Sequence, residues 1–246
     1  MLQIQGIYPF HYQRVQNLLP GDFQLRVQFC QWILENDNII PNILWSDESI
    51  FTKNGVFNVH NNHVWAHENP RVVRRSNSQH RFSVNTWAGM IGDQLIGPVV
   101  LPNRLNAHEY LNFLQNNLGI LLEDVPLNAR QNMYYQNDGA PAHYGLHVRE
   151  WLSENFPRRW IGRNGPIPWP PRSPDLNPLD YYLWGRMKAL VYETEVNTQE
   201  ELLRRIELAA AELRENRFQI LRATSAISRR ARICIEKNVN LFQQFL

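Results

Sequence analysis

Three aspartates stand where a carboxylate needs a partner. Asp47 follows the apolar run Ile43, Leu44, Trp45 and reads as the end of a buried strand. Asp138 closes the short segment MYYQND, and Asp180 follows the Asn177, Pro178 pair that opens a helical pattern. An ionised carboxylate beside an apolar core is costly unless a metal, a cation or hydrogen-bond donors compensate it. Taken singly, each is also readable as an ordinary strand-end or capping residue. Converging on one edge of one sheet, the three would repel one another without cations between them. Carboxylate oxygens suit a pair of Mg²⁺ (or Mn²⁺) ions that retain several waters. Two such ions about 3.5 to 4 Å apart serve phosphodiester displacement, activating the attacking water or sugar hydroxyl and stabilising the departing oxygen.

That convergence depends on the elements around the acids. From Asn42 the chain reads as strands, NILWSDESIF, VFNVHNNHVWA, RFSVNTWAGMIG and QLIGPVVL, bounded by Gly, Asn or Pro and implying an antiparallel meander. Asn106 and Glu109 form a capping pair for a helix with Tyr110, Phe113, Leu114 and Leu118 on one face. Because a helix intervenes, MYYQND can return parallel to the first strand, placing Asp47 and Asp138 near neighbouring strand ends. HVREWLSENF reads as a helix, and the Pro-rich IGRNGPIPWPPRSPD forbids a long one, leaving a short strand around Ile167 to Trp169. Asn177 as N-cap and Pro178 as first helical residue put Asp180 in the first turn. There it shares a side with Leu183, Trp184 and Met187, facing the sheet and not open solvent. An earlier helix from Asp22 carries Leu25, Phe29, Trp32 and Ile33 on one stripe. Thr198 and Glu201 form a capping box before a helix burying Leu202, Ile206, Ala209, Ala210 and Leu213, and the tail ARICIEKNVNLFQQF reads as helical. The expected fold is α/β, a mixed central sheet flanked by helices, with a linker and helix over 1–36 and a catalytic domain over 37–246.

Composition sets the outer bounds. At 246 residues, with 43% hydrophobic and 20% charged residues, the chain can bury one sizeable core and is not disordered over long stretches. It has no apolar run of about eighteen residues and no secretory start, so a soluble intracellular protein without a membrane partner is expected. Cys30 and Cys234 lack a CxxC partner and read as packing residues. Net charge is only +2, but 22 arginines stand against three lysines. Arginine is a flat two-pronged donor to phosphate, although gene base composition produces the same bias. Arg71, Arg74, Arg75 and Arg81 cluster between two strands; Arg158, Arg159, Arg163 and Arg172 flank the third acid, with Trp160 and Trp169 among them. Both groups suit phosphate and unstacked bases, and both also read as solvated charged loops. Arg229, Arg230 and Arg232 form a third basic group. His143, five residues after Asp138, contacts phosphate, tunes a metal site or ties a loop to the core. Glu48 alternates to the other side of the strand from Asp47 and reads as structural. His60, His63 and His67 show no ligand spacing.

The blocks WSDES around Asp47, NDGAPAH around Asp138 and PPRSPDLNPLDYYLW around Asp180 resemble the three signature blocks of mariner-type transposases, of the DDE/D superfamily. HYQRVQNLLPGDFQLRVQFCQWIL and the tail also resemble stretches of those proteins, so the likeness covers nearly the whole chain. It implies a ribonuclease-H-like fold, metal-dependent cleavage of DNA at transposon ends, and joining of the freed 3′ hydroxyl to target DNA at a TA dinucleotide. Block by block, Asp47, Asp138 and Asp180 match the family's catalytic acids, and Asp175 belongs to the SPD turn and is expected to cap or brace its loop. The final acid is Asp, as in mariners proper, and the 41 residues between it and Asp138 are a wider interval than most of the group shows. The extra length falls in IGRNGPIPWPPR, where insertion costs little. The resemblance further implies a homodimer, DNA partners, two metal ions with no small-molecule cofactor, and a nuclear location. Nothing resembles the family's paired helix-turn-helix modules, so a truncated or host-adopted element is expected. The alternatives are a remnant that binds nucleic acid without catalysis and a general ribonuclease-H-like nuclease.

Overall fold

Alternation along the first strand, β1 (Ile43–Thr52), divides the core in two. Ile43 and Trp45 enter one apolar cluster, and Leu44 between them enters the other. The computed structural model describes residues 18–53, 55 and 82–237. In chain order α1 (Pro20–Glu35) leads through a 3₁₀ turn, Asp37–Asn42, into β1, followed by β2 (Ser83–Ile91) and β3 (Gln94–Leu101). Next come α2 (Ala107–Phe113), a π turn over Leu114–Leu118, α3 (Gly119–Leu121), α4 (Leu127–Gln131) and β4 (Tyr134–Gln136). Then follow α5 (Leu146–Asn155), β5 (Trp160–Gly162), β6 (Ile167–Pro168), a 3₁₀ turn at Pro174–Leu176, a π turn at Leu179–Leu183, α6 (Trp184–Val191), α7 (Gln199–Glu215) and α8 (Arg217–Glu236).

The sheet has six strands in the order β3-β2-β1-β4-β5-β6. β1, β2 and β3 pair antiparallel, whereas β1 with β4, β4 with β5 and β5 with β6 pair parallel. Three of the four expected meander strands pair antiparallel, with β1 beside β2 directly and VFNVHNNHVWA outside the described residues; the parallel return of β4 is present, and the sheet is mixed. A two-residue turn at Gly92 and Asp93 joins β2 to β3, and Gly92 takes the left-handed φ of 54° such turns require. One face of the sheet packs against α1, α6, α7 and α8 through residues such as Trp45, Phe51, Phe29, Met187 and Ile227. The other packs against α2 and α5 through Trp87, Tyr110, Phe113, Tyr135 and Val148. Among the described residues no helix is long and apolar enough to cross a membrane.

The local signals hold where they rest on hydrogen bonds. Asn106 Oδ1 accepts from the Glu109 N–H at 2.9 Å, and Tyr110, Phe113, Leu114 and Leu118 are buried as expected. Thr198 caps α7 through the Glu201 N–H at 3.1 Å, although Glu201 reaches back to Asn197 and not to Thr198 itself. Two expectations need correction. Asp47 is not at a strand end: antiparallel pairing with β2 carries β1 on to Thr52, and only the pairing with β4 stops early, at Leu44. The buried face of α1 is Asp22, Arg26, Phe29, Cys30 and Ile33, with Leu25 half-buried, because ion pairs made elsewhere draw Asp22 and Arg26 inward. The strand β5 gave no periodic signal, being three residues long. VFNVHNNHVWA, with His60, His63 and His67, and the basic group Arg71, Arg74, Arg75 and Arg81 lie outside the described residues, as does the tail beyond Lys237.

Candidate active site

The ladder between β1 and β4 ends at the pair Leu44 and Tyr135, and the two strands part beyond it. Side chains then replace the ladder: the Ser46 N–H donates to Gln136 Oε1 at 3.0 Å and Ser46 Oγ donates to the Gln136 carbonyl at 2.6 Å. Asp47 sits on one prong of this fork, and Asp138, in the loop after β4, on the other. The third acid arrives from a different direction. Asn177 Oδ1 accepts from the Leu179 N–H at 3.1 Å and starts the helix, while its Nδ2 donates to the Ser46 carbonyl at 3.3 Å. One side chain thus caps Asp180's helix and ties it to β1 one residue before Asp47. The first turn is π and not α, and Asp180 is exposed to the cleft instead of facing the sheet, with Leu183, Trp184 and Met187 buried behind it.

The three aspartates and Glu48 line one cleft of about 350 Å³, completed by Gly139, Trp169, Pro171, Arg172, Ser173, Pro174 and Asn177. With water occupying ~30 Å³ in the liquid, the space takes several waters or two partly hydrated cations beside a phosphate. Glu48 does leave the opposite face of β1 from Asp47, as alternation requires, yet at the fork both faces reach the cleft. Its expected purely structural role does not describe where it lies. Its Oε1 is buried with no hydrogen-bond partner, and its Oε2 lies 3.2 Å from His143 Nε2.

Electrostatics separate the acids. Burial raises the Asp47 carboxyl well above the usual range, and the charges of Asp180, Glu48 and Asp138 add to this; the Trp184 Nε1–H bond at 2.7 Å opposes them. Asp180 opens to solvent on one side but is walled by protein on the others; those walls and Asp138 push it up to about 7, against the pull of Lys188. Burial also works to raise Asp138. His143, bonded at 2.7 Å, and the Ala140 N–H at 2.8 Å together hold it below its ordinary value. Burial disfavours a charged His143, but Glu48 and Asp138 outweigh it and push the imidazole up to about 10. The donors are carboxylate oxygens alone, a hard set fitted to Mg²⁺ or Mn²⁺. Among the described residues no three acidic, His or Cys side chains are yet gathered in a metal-holding arrangement. One oxygen of Asp47 turns to Trp184 and one of Asp138 to His143.

The other sequence candidates are dispersed. His143 is buried with both ring nitrogens against carboxylates, Nδ1 toward Asp138 and Nε2 toward Glu48. Arg172 lines the cleft, but its guanidinium forks onto Asp22 of α1, the Nε–H at 2.6 Å. Arg163 is exposed at the rim beside Gly139, its guanidinium 4.3 Å over the Tyr144 ring. Trp160 is core, not a base-stacking surface, because it sits on β5; Trp169 is also buried, edge-on to Phe29 and Trp45, with one side on the cleft. Arg230 donates to the Asp175 carbonyl at 3.0 Å and stacks on Tyr181. Asp175 is fully buried, held by Arg26 Nη1 at 2.8 Å and Nη2 at 2.5 Å, so it braces its loop. The bracing role of Asp175 was expected, but its partner Arg26 was not; the one signal for it was Asp22 and Arg26, four apart, on an otherwise apolar helix face.

Comparison with known proteins matches residues 42–203 to the family described as DDE superfamily endonuclease. The chain is 25% identical over 181 residues to the Tc3 transposase of Caenorhabditis elegans, covering 71% of this chain and 49% of that protein. It is 26% identical over 150 residues to the Tcb1 transposase of Caenorhabditis briggsae, covering 60% and 50%. It therefore spans about half the length of both. Among solved structures, a pre-cleavage Mos1 transpososome superposes with a TM-score of 0.80 at 19% identity, over 98% of this chain and 70% of that one. The Mos1 transposase catalytic domain, solved with raltegravir and Mn, gives 0.70 at 19% identity, over 93% of this chain and all of that one. At such identity the likeness establishes the fold, which is ribonuclease-H-like.

Proposed function

Because the chain belongs to the DDE superfamily endonucleases, as a Tc1/mariner-type catalytic domain, we propose that it cuts DNA backbones with two divalent metal ions held by Asp47, Asp138 and Asp180. The observation that carries this reading is the meeting of three acids from three separate segments in one cleft. Two further facts favour it: among the described residues Glu48 Oε1 is buried without a hydrogen-bond partner, and, beyond the effect of burial, the charge of Asp180 raises the pKa of Asp47 and that of Asp138 raises Asp180, despite the nearby charge of Lys188. Mos1 paired-end complexes solved with Mn and with Mg make those ions the natural candidates here.

In this reading the bound ions supply Lewis acidity to the phosphate oxygens and lower the pKa of an attacking water. The chain's own residues supply position. Trp184 Nε1 orients Asp47, His143 and the Ala140 N–H orient Asp138, and Asn177 holds Asp180's helix start against β1. Water oxygen bonds to phosphorus, the P–O3′ bond breaks, and O3′ takes a proton to leave a 3′ hydroxyl and a 5′ phosphate. In strand transfer that hydroxyl is the next nucleophile and a target O3′ leaves. Transposon-end and target DNA, a homodimer that brings two ends together, and a nuclear location belong to the same proposal. The Mos1 paired-end complex with the left transposon end supplies the analogy for the pairing. The test is nicking of duplex DNA by the purified chain with Mg²⁺ or Mn²⁺. Asp138→Asn should reduce cleavage to background with the fold unchanged. Equal activity in the variant overturns the assignment, and preference for RNA–DNA hybrid over duplex DNA overturns the substrate.

A further inference from the structure

His143 is buried between two carboxylates that belong to different prongs of the fork. Its Nδ1 lies 2.7 Å from Asp138 Oδ1, beyond β4, and its Nε2 lies 3.2 Å from Glu48 Oε2, on β1. The backbone ladder between the strands ends at Leu44 and Tyr135, and among the described residues the next ties are the two bonds from Ser46 to Gln136, just short of Asp47 and Asp138. The ring is held from behind by Tyr110, centroid to centroid 4.2 Å. Tyr110 is fixed in turn by a 2.7 Å hydroxyl contact with Tyr135, whose hydroxyl meets Ser46 Oγ at 3.4 Å. A continuous series of contacts, polar except for the ring packing of Tyr110 on His143, therefore runs from the residue before Asp47 to Asp138.

We propose that His143 is a positioning residue that clamps Glu48 to Asp138, setting the spread of the β1/β4 fork and hence the separation at which Asp47 and Asp138 meet divalent cations. The inference rests on the metal-site reading above and adds Glu48 and His143 to it. Nδ1 is hydrogen-bonded to Asp138, while Nε2 faces Glu48 at ion-pair distance without a formed hydrogen bond, so one buried ring spans the gap between two carboxylates on separate prongs of the fork. It also leaves them in a fixed rotamer. Partners that orient ligands without touching the metal typically alter metal affinity 10- to 100-fold when removed. A residue that merely filled the core would alter stability and leave affinity alone.

The experiment is an Mn²⁺ titration of the purified chain without DNA, following free Mn²⁺ by its electron paramagnetic resonance signal, with circular dichroism as the fold check. Glutamine at 143 can donate to one carboxylate but not bridge two, so His143→Gln should weaken Mn²⁺ binding roughly ten-fold or more. Glu48→Gln, which opens the clamp from its other end, should do the same, and carries the test if His143→Gln does not fold. The double variant should bind no more weakly than the worse single one, because both remove one device. Unchanged Mn²⁺ affinity in folded His143→Gln, or losses that add in the double variant, overturns the clamp. So does a loss of DNA affinity with Mn²⁺ binding intact, which marks a phosphate contact. Asp138→Asn in the same titration separates the two levels. If it loses Mn²⁺ while His143→Gln keeps it, only the clamp fails; if Asp138→Asn keeps Mn²⁺, the metal site fails and the clamp with it.

Discussion

Asp175 and Asp180 lie five residues apart on one segment, and the protein treats them in opposite ways. Asp175 is fully buried and receives both prongs of Arg26, with Ser173 Oγ completing the contact at 2.7 Å from Arg26 Nη1. Burial works against charge on Arg26, yet Asp175 holds its pKa above the ordinary value. Asp180, like Asp47, Glu48 and Asp138, lines a cleft whose nearby cations among the described residues are His143, the half-buried Lys188 and Arg172, the last turned to Asp22. The brace and the cleft share a loop: Ser173 and Pro174 line the cleft while Arg26 holds Ser173 and Asp175 from behind. The difference is one of compensation. An acid matched by an internal cation becomes part of the scaffold, and acids less fully matched on that scaffold are the ones on which the proposed metal site rests.

Substitutions on each side should break this contrast in different observables. The largest effect is on chemistry: Asp47→Asn should reduce metal-dependent nicking to background while circular dichroism stays native, and measurable turnover would remove Asp47 from the site. Next is the brace. Arg26→Ala leaves Asp175 charged and unpaired in the core and should cost about 3–5 kcal/mol in urea or thermal unfolding. A loss below about 1 kcal/mol would mean the pair is not buried as described. A smaller effect sharpens the cleft side: Mn²⁺ at about one hundred times its dissociation constant should stabilise the wild-type chain by about 2.7 kcal/mol, and Asp47→Asn should lose most of that gain. Without metal, Asp47→Asn should melt at or above wild type, since it relieves the repulsion from Asp180, Glu48 and Asp138. The smallest is a reference point outside both regions. Thr198→Ala removes the α7 cap and should cost about 1 kcal/mol with nicking per folded molecule unaltered.

Legibility followed the range of the interaction. The Asn106 and Thr198 caps and the buried faces of α2 and α7 were readable because each is decided within a few residues. The π turn around Asp180 was not, since Asn177 is pulled toward Ser46, 131 positions away in sequence, as well as toward its own helix. Glu48 was misjudged for a related reason. Alternation correctly put it on the other face from Asp47, but only the parting of β1 and β4 lets both faces reach one cleft. Trp160 and Arg172, grouped with basic residues near the third acid, proved to be a core ring and half of an ion pair with α1.

By itself the sequence determined the kinds of group available: three aspartates in three recognisable blocks, a capped helix start, an apolar alternation that had to be covered on both faces. Those follow from local sterics, short-range hydrogen bonds and hydrophobic period. Only the tertiary structure decided which acids are neutralised and which are left facing one another. A carboxylate's circumstances are set by whatever charge lies within a few ångströms, and for Asp175, Asp138 and Glu48 that charge comes from α1 and from the loop before α5.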